Sequence, residues 1–264
     1  QGFYSFTRKN GYVYIPDIPR SPNPDRRNPV DPRQSLHNLV NPYLLVPLYY
    51  SVWFLLSTFC MHRLWLVFQY YRLRNHRPTQ PQPSLEDLPS VLVQLPIFNE
   101  RFVAERIIRA AASIQYPTDR MTIQVLDDST DDTCEIIAAL VRKLSDRKIR
   151  IKHIRRPERQ GYKAGALQFG MEQNHSELIA IFDADFIPPK DFLLNTVGAF
   201  SNRKVGMVQT RWEHANRRYS LLTRIQAILL DGHFVVEHTS RYGLGCFFNF
   251  NGTAGIWRRS AIES

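Results

Sequence analysis

Residues 91–128 read VLVQLPIFNERFVAERIIRAAASIQYPTDRMTIQVLDD and change period twice. VLVQLP is a short apolar run, the pattern of a buried strand. In ERFVAERIIRAAASIQ, residues 100–115, Val103, Ile107, Ala111 and Ile114 recur at helical spacing on one face. TIQVLDD returns to a strand. Outward from this core the alternation continues with TCEIIAALVRKL as helix, IRIKHIRR as strand, YKAGALQFGMEQ as helix and LIAIFDAD as strand. Strands alternating with helices imply an α/β fold, a mostly parallel sheet with helices on both faces. Ligands of such sheets bind beyond the carboxyl ends of the strands.

The strand ends carry the polar residues: Asn99 and Glu100 after the first, Asp127 and Asp128 after the second, Asp183 and Asp185 in ELIAIFDADFIPP. In an extended chain, residues i and i+2 point to one side, so Asp183 and Asp185 are expected to face one spot. Their repulsion is relieved by a cation or by a proton. The bland alternative is a solvated loop with two surface acids, and three acid-bearing strand ends on one edge argue against it. A divalent ion with oxygen ligands, Mg²⁺ or Mn²⁺, supplies the missing charge, and Mg²⁺ often takes one or two carboxylates plus substrate phosphates. Lys163, in RQGYKAGAL, stands at a helix start, where a helix N-terminus and a lysine together favour phosphate. Gly161 and Gly165 are expected to let backbone approach a ligand. The spacing is neither the GxxxxGK[ST] phosphate loop nor GxGxxG.

The chain has 264 residues, with Lys plus Arg exceeding Asp plus Glu by 34 to 24 for a net charge of +10. That balance suits anionic partners such as lipid headgroups or nucleotides. No zinc-finger spacing or basic heptad region accompanies it, so nucleic acid is not expected. Residues 1–42 hold seven of the 17 prolines and are expected to form an irregular tail, with a short hairpin around Asn10-Gly11. Residues 43–61, YLLVPLYYSVWFLLSTFCM, carry no charge and approach the length of about 20 apolar residues that crosses a bilayer. A transmembrane helix with its juxtamembrane segment is expected over 43–71, a Pro-rich linker over 72–90, and the catalytic domain over 91–264. Arg26, Arg27 and Arg33 precede the span and Arg63, Arg72, Arg74 and Arg77 follow it, so charge bias does not choose the orientation. Cys60, Cys134 and Cys246 form no disulfide framework and are expected to be buried thiols. The start at Gln1 and the stop at Ser264 read as a fragment, and no secretory-signal pattern opens the chain.

VLVQLPIFNE, IQVLDDSTDDT, GYKAGAL, IAIFDADFIP, VQTRWEHAN and FNFNGTAGIWRRSAI together resemble the processive family 2 glycosyltransferases, from about residue 88 to 262. The match is to the cellulose-synthase-like A group and its bacterial relatives, the β-1,4-mannan synthases, with the cellulose-synthase-like C glucan synthases as near neighbours. The resemblance implies a GT-A, Rossmann-like fold and inverting transfer of a hexose from GDP-mannose or UDP-glucose to a growing β-1,4-glycan acceptor. It implies that Pro96, Asn99, Glu100 and Asp127 hold the nucleotide, with Asp128 supporting that loop or the ribose. Lys163 approaches the donor phosphates, Asp183 the ribose and metal, and Asp185 the metal. Gln209 and Trp212 lie beside the sugar pocket, and Asn251 and Gly252 line the acceptor end. The membrane would be the bacterial plasma membrane, catalytic domain in the cytosol, or the Golgi membrane in a eukaryote.

One departure stands out. The family's TED or VED carboxylate, its general base, and the QxxRW motif do not occur up to Ser264, so the base is expected beyond it and the fragment to bind donor without polymerising sugar. Asp231, on a helical stretch with Leu222, Ile225 and Leu229, is the acid that would otherwise serve. His233 and Glu237, four apart there, are expected to share a polar contact. Two other readings stay open. A haloacid-dehalogenase-type phosphatase would use Asp183 as nucleophile, although that motif normally closes the first strand and is followed by Thr or Val. A non-catalytic nucleotide sensor would use Asp127 and Asp128 as its acid pocket.

Overall fold

A computed structural model describes residues 42–75, 84 and 87–263. The expected tail, its hairpin and most of the linker lie outside the described residues. Two compact units divide at Met61 and His62. The divide falls within α1, Pro42–Leu73, a helix whose apolar side chains are exposed along most of its length. At 1.5 Å per residue it measures about 48 Å, more than the roughly 30 Å hydrocarbon core of a bilayer. It is long and apolar enough to cross a membrane.

The second unit is built on a six-stranded sheet of order β3-β2-β1-β4-β6-β5. The strands are β1 Val91–Ile97, β2 Met121–Asp127, β3 Ile151–Ile154, β4 Leu178–Ile181, β5 Met207–Gln209 and β6 Gly255–Arg258. The first four run parallel, while β6 is antiparallel to both β4 and β5. Alternation sorts β1 between two layers. Val91, Val93, Leu95 and Ile97 enter the main core with Ile107 and Ile108 of α2, Ala104–Ala112, and Ile137 of α3, Thr133–Ser145. Leu92 joins Ile179 and Ile181 on the opposite face, against Leu167 and Met171 of α4, Tyr162–Glu172. The expected helices on both faces are therefore found.

The α4 face is partly polar. The Gln94 amide donates to the Leu167 carbonyl and to Gln124, which donates to the Gly170 carbonyl. A Cβ at Gly170 would lie 2.6 Å from Gln124 Oε1, so any larger residue would have to displace this amide pair. The helix expected over 100–115 is shorter, because residues 100–103 form a turn in which the Glu100 carbonyl accepts from the Val103 and Ala104 amides. After β4 come α5, Phe192–Thr196, and a 3₁₀ turn, Val197–Ser201. α6, Leu221–Asp231, α7, Thr239–Gly243, and α8, Arg259–Ile262, complete the chain. A π-helical segment, Gly232–His238, joins α6 to α7.

The cysteines correct one expectation. All three are free, but Cys60 and Cys246 are exposed. Cys60 lies among the outward apolar side chains of α1, and Cys246 follows the end of α7.

Candidate active site

The chain turns from β1 to β2 on one side of the sheet and places β4 on the other. The crevice at such a reversal, at the carboxyl edge, is where open α/β sheets take ligands. A cleft of ≈ 390 Å³ lies there, lined by Pro96 and Ile97 from β1, Glu100 and Asp128 from the following loops, Lys163 from α4, and Asp183 and Asp185 beyond β4. The sequence reading thus brings Pro96, Glu100, Asp128, Lys163, Asp183 and Asp185 to one place.

The geometry of the Asp pair is not that of an extended chain. β4 ends at Ile181, and the Phe186 amide donates to the Asp183 carbonyl at 3.0 Å, closing a turn. The turn, not strand alternation, brings both carboxylates to the cleft. Glu100 feels them. Its carboxyl is raised above the usual range, first by burial, then by the charges of Asp185 and Asp183. Lys163 answers this charge, ion-paired with Asp183 and donating at 2.8 Å to the Gly252 carbonyl.

Asp127, expected to hold the nucleotide, lies buried beside the cleft. Its side chain has no exposed surface; it accepts from the Ser129 amide at 2.9 Å and pairs with His153 at 2.8 Å. Burial raises its pKa, but the bonds from His153 and Ser129 outweigh burial and hold the carboxyl below its usual value. It anchors the loop and does not line the cleft. Asp128 does, held by a two-pronged bond from Arg156 at 2.8 and 2.7 Å. Asn99 is exposed and is not among the lining residues; its side chain accepts from the Thr130 amide. Gly165 serves the chain itself, since a Cβ there would meet the Gln160 carbonyl at 2.1 Å.

Sequence reasoning missed Arg156 and Arg159. Arg159 lines the cleft with its guanidinium 3.4 Å from the Phe98 ring centroid. Two basic residues just after β3, facing the acids after β2, were the available signal.

Residues 250–254 form a second wall. Thr253 Oγ1 accepts from the Asp183 amide, and its carbonyl accepts from Gln209 Nε2 and Trp212 Nε1. Gln209 Oε1 accepts from the Asn251 amide. Gln209 is therefore a clamp on this loop. Trp212 lines a neighbouring cavity of ≈ 890 Å³, which shares Asp185 with the cleft and is edged by Arg106, Phe186, Arg211 and His214. Gly252 reaches the cleft through the Lys163 contact, while Asn251 bonds to Gln209 and His233 instead. Backbone strain gathers here: Asn99, Tyr162 and Ala254 have φ of 55°, 48° and 51°, a region that disfavours side chains. Asp231 is gripped by Arg211 and Arg217, both at 2.7 Å; burial raises its pKa, yet the two arginines prevail and hold it low.

The donor set suits a hard divalent cation, since carboxylate oxygens favour Mg²⁺ and Mn²⁺. Among the described residues, no group of three or more His, Cys, Asp or Glu is arranged to hold a metal. An ion would rest on Asp183 and Asp185 and complete its shell with ligand oxygens.

Comparison with known proteins bears on the family and the fold. The chain is 49% identical over 188 residues to probable glucomannan 4-beta-mannosyltransferase 2 of Oryza sativa, a stretch covering 69% of this chain and 32% of the relative. It is 46% identical over 180 residues to glucomannan 4-beta-mannosyltransferase 9 of Arabidopsis thaliana, covering 66% and 34%. The chain spans about a third of the length of the curated relatives it matches. A mannosyltransferase of Pyrobaculum calidifontis, solved with GDP-Man and Mn²⁺, shares the fold with a TM-score of 0.57 at 22% identity, over 79% of this chain and 56% of that one. The expected GT-A architecture is thereby borne out, and so is the mannan-synthase resemblance. The family model described as glycosyl transferase family 2 matches residues 92–263, so the chain belongs to that family.

Proposed function

We propose that this chain carries the donor site of a membrane-bound, inverting hexosyltransferase. It moves mannose from GDP-mannose, or glucose from UDP-glucose, to a growing β-1,4-glycan. The observation that carries this reading is the cleft at the β1/β4 reversal, where Glu100, Asp128, Asp183 and Asp185 meet Lys163 and Arg159. A nucleoside diphosphate needs cations for its phosphates and a hydrogen-bonding wall for its base and ribose, and the cleft offers both. The names of the plant relatives favour mannose, and their hosts favour the Golgi over a bacterial plasma membrane. The ≈ 890 Å³ cavity beside Asp185, walled by Trp212 and Phe186, suits the acceptor glycan, since sugar faces stack on aromatic rings. α1 supplies the lipid contact.

The residues divide the work. Asp183 and Asp185 would hold Mg²⁺ or Mn²⁺, and that ion, when bound, neutralises charge on the leaving diphosphate. Lys163 places a positive charge beside the phosphates. Asp128, fixed by Arg156, and Arg159 on Phe98 present the nucleotide wall. Asp231 is a poor candidate for the base, because its arginine pair stabilises the carboxylate and weakens its basicity.

The test uses the full-length protein in membranes. Asp185→Asn should weaken Mn²⁺-dependent binding of GDP-mannose or UDP-glucose and lower transfer by about 10²–10³-fold, the usual size of a lost electrostatic contact to the reacting group. Binding in chelator should barely change. Equal metal-dependent affinity in wild type and variant, or no transfer from either donor by the wild type, would overturn the proposal.

A further inference from the structure

Resting on that reading, we infer that His233 is a positioning residue, holding the Asn251 side chain so that residues 250–254 present the Gly252 carbonyl to Lys163.

The first observation is the winding of the helix. Between α6 and α7 the chain passes into a π-helix, Gly232–His238. Such segments are rare and are often found at functional sites, because the wider turn moves side chains out of α-helical register. Here Phe234 and His238 are buried, Glu237 is nearly so, and the rings of His233 and His238 lie 4.4 Å apart.

The second observation is what His233 touches. Nδ1 lies 3.4 Å from Glu237 Oε2, and Nε2 lies 3.2 Å from Asn251 Nδ2 and 3.4 Å from its Oδ1. A carboxylate at Glu237 requires the proton on Nδ1, which leaves Nε2 to accept from the Asn251 amide. Glu237 is itself anchored. It pairs with Arg63 of α1 and, at 3.0 Å, with Arg241. Nearby, Ser240 Oγ donates to the Leu66 carbonyl of α1 at 2.9 Å. His233 therefore stands on a post fixed from behind.

The third observation is what the loop does at its other face. Gly252 accepts from Lys163 at 2.8 Å, and Thr253 accepts from the Asp183 amide at 2.8 Å. Ala254 at φ +51° holds a strained conformation that needs outside support. Asn251 is the residue that joins the two sides. Its backbone donates to Gln209, its side chain meets His233, and its C-terminal neighbour meets Lys163.

A packing role alone predicts that truncation lowers stability without selecting a kinetic constant. A positioning role predicts a loss in kcat with donor affinity kept, because the loop edge shifts relative to the reacting atoms. The experiment compares wild type, His233→Ala, His233→Gln, Asn251→Ala and the His233→Ala/Asn251→Ala pair in the full-length membrane protein. kcat and KM are measured with GDP-mannose and with UDP-glucose in Mn²⁺, using a short β-1,4 oligosaccharide acceptor. Donor affinity by calorimetry and the melting temperature are read alongside. His233→Ala should lower kcat by about 10- to 100-fold, the scale of a small misplacement near the chemistry, with donor affinity unchanged. His233→Gln, which keeps an acceptor and a donor, should recover most of that loss. The double variant should be no worse than the worse single one, since both act through one contact. Wild-type kcat in His233→Ala, or loss of kcat with no rescue by glutamine, overturns the inference alone. A wild type that transfers from neither donor overturns the proposed function and this inference together.

Discussion

The parallel half of the sheet and its antiparallel end place their residues by different means. From β1 to β2 seven consecutive residues pair, Val91 with Met121 through Ile97 with Asp127, and the side chains behind them are almost wholly buried. The main chain therefore delivers Glu100 and Asp128 to the cleft. At the other end β5 pairs only three residues with β6, and none of its own residues is fully buried. There single side chains do the fastening. Gln209 Nε2 reaches the carbonyls of Thr210, Thr253 and Ala254, Thr210 Oγ1 reaches Ala254 at 2.6 Å, and Trp212 reaches Thr253. A long ladder spreads its load over many bonds, whereas a side-chain clamp can be undone by one substitution. Damage to the first half should appear as lost stability, and damage to the second as lost turnover in a folded protein.

The hardest blow to the parallel half is Ile123→Ala. Ile123 is fully buried on β2, between β1 and β3, and truncation there should cost about 2–5 kcal/mol. Chemical denaturation should show the whole loss, while donor affinity of the folded fraction stays at the wild-type value. A changed affinity would mean that the two halves are not separable. Next comes Asp127→Ala, which strips the partner from His153 and the Ser129 amide and should cost about 1–3 kcal/mol. Its melting temperature should fall with little change in nucleotide affinity. A drop in affinity without a drop in stability would return Asp127 to the nucleotide.

Thr253→Val tests the clamped end. It removes the acceptor for the Asp183 amide, a net contribution of about 0.5–1.5 kcal/mol, and should lower kcat with little thermal change. Pure thermal loss with normal kcat would erase the contrast. The mildest effect is pH. His238 lies below its ordinary 6.5, chiefly through burial and then through His233, so the folded state binds that proton less readily than the unfolded chain. Its contribution is present above about pH 6.5 and declines as acid protonates the unfolded chain. Asp127 and Glu237, also held low, extend the decline into the carboxylate range. His238→Gln should flatten melting temperature against pH just below 6.5 and leave the steeper acid limb intact. An unaltered curve would remove His238 from the account.

The same contrast explains what could be read from the residues alone. Strand and helix periods between 91 and 181 come from burial on alternating faces, and they fixed the layers before any contact was known. Asp183 and Asp185 line one cleft, but through a turn closed by Phe186 rather than by strand alternation, and such a turn leaves no periodic trace. Asp127 and Asp128 are neighbours in sequence with opposite fates. What separates them is the position of His153 and Arg156, one strand away, and no local pattern carries that. The clamp at Gln209 and the π-helical winding at 232–238 depend on contacts with partners far along the chain, so periodicity is silent on both.

Two of the non-glycine residues bent to positive φ around the cleft, Tyr162 and Ala254, have a consequence for anyone who breeds this protein for heat resistance. Each such residue costs on the order of 1 kcal/mol or more that glycine would not. A screen that rewards only survival at high temperature should therefore find Tyr162→Gly and Ala254→Gly early, provided the freer unfolded chain does not cancel the gain. The hardier descendants would have softened the rim of the cleft. Their glycines would record which bends had served turnover and which had been incidental.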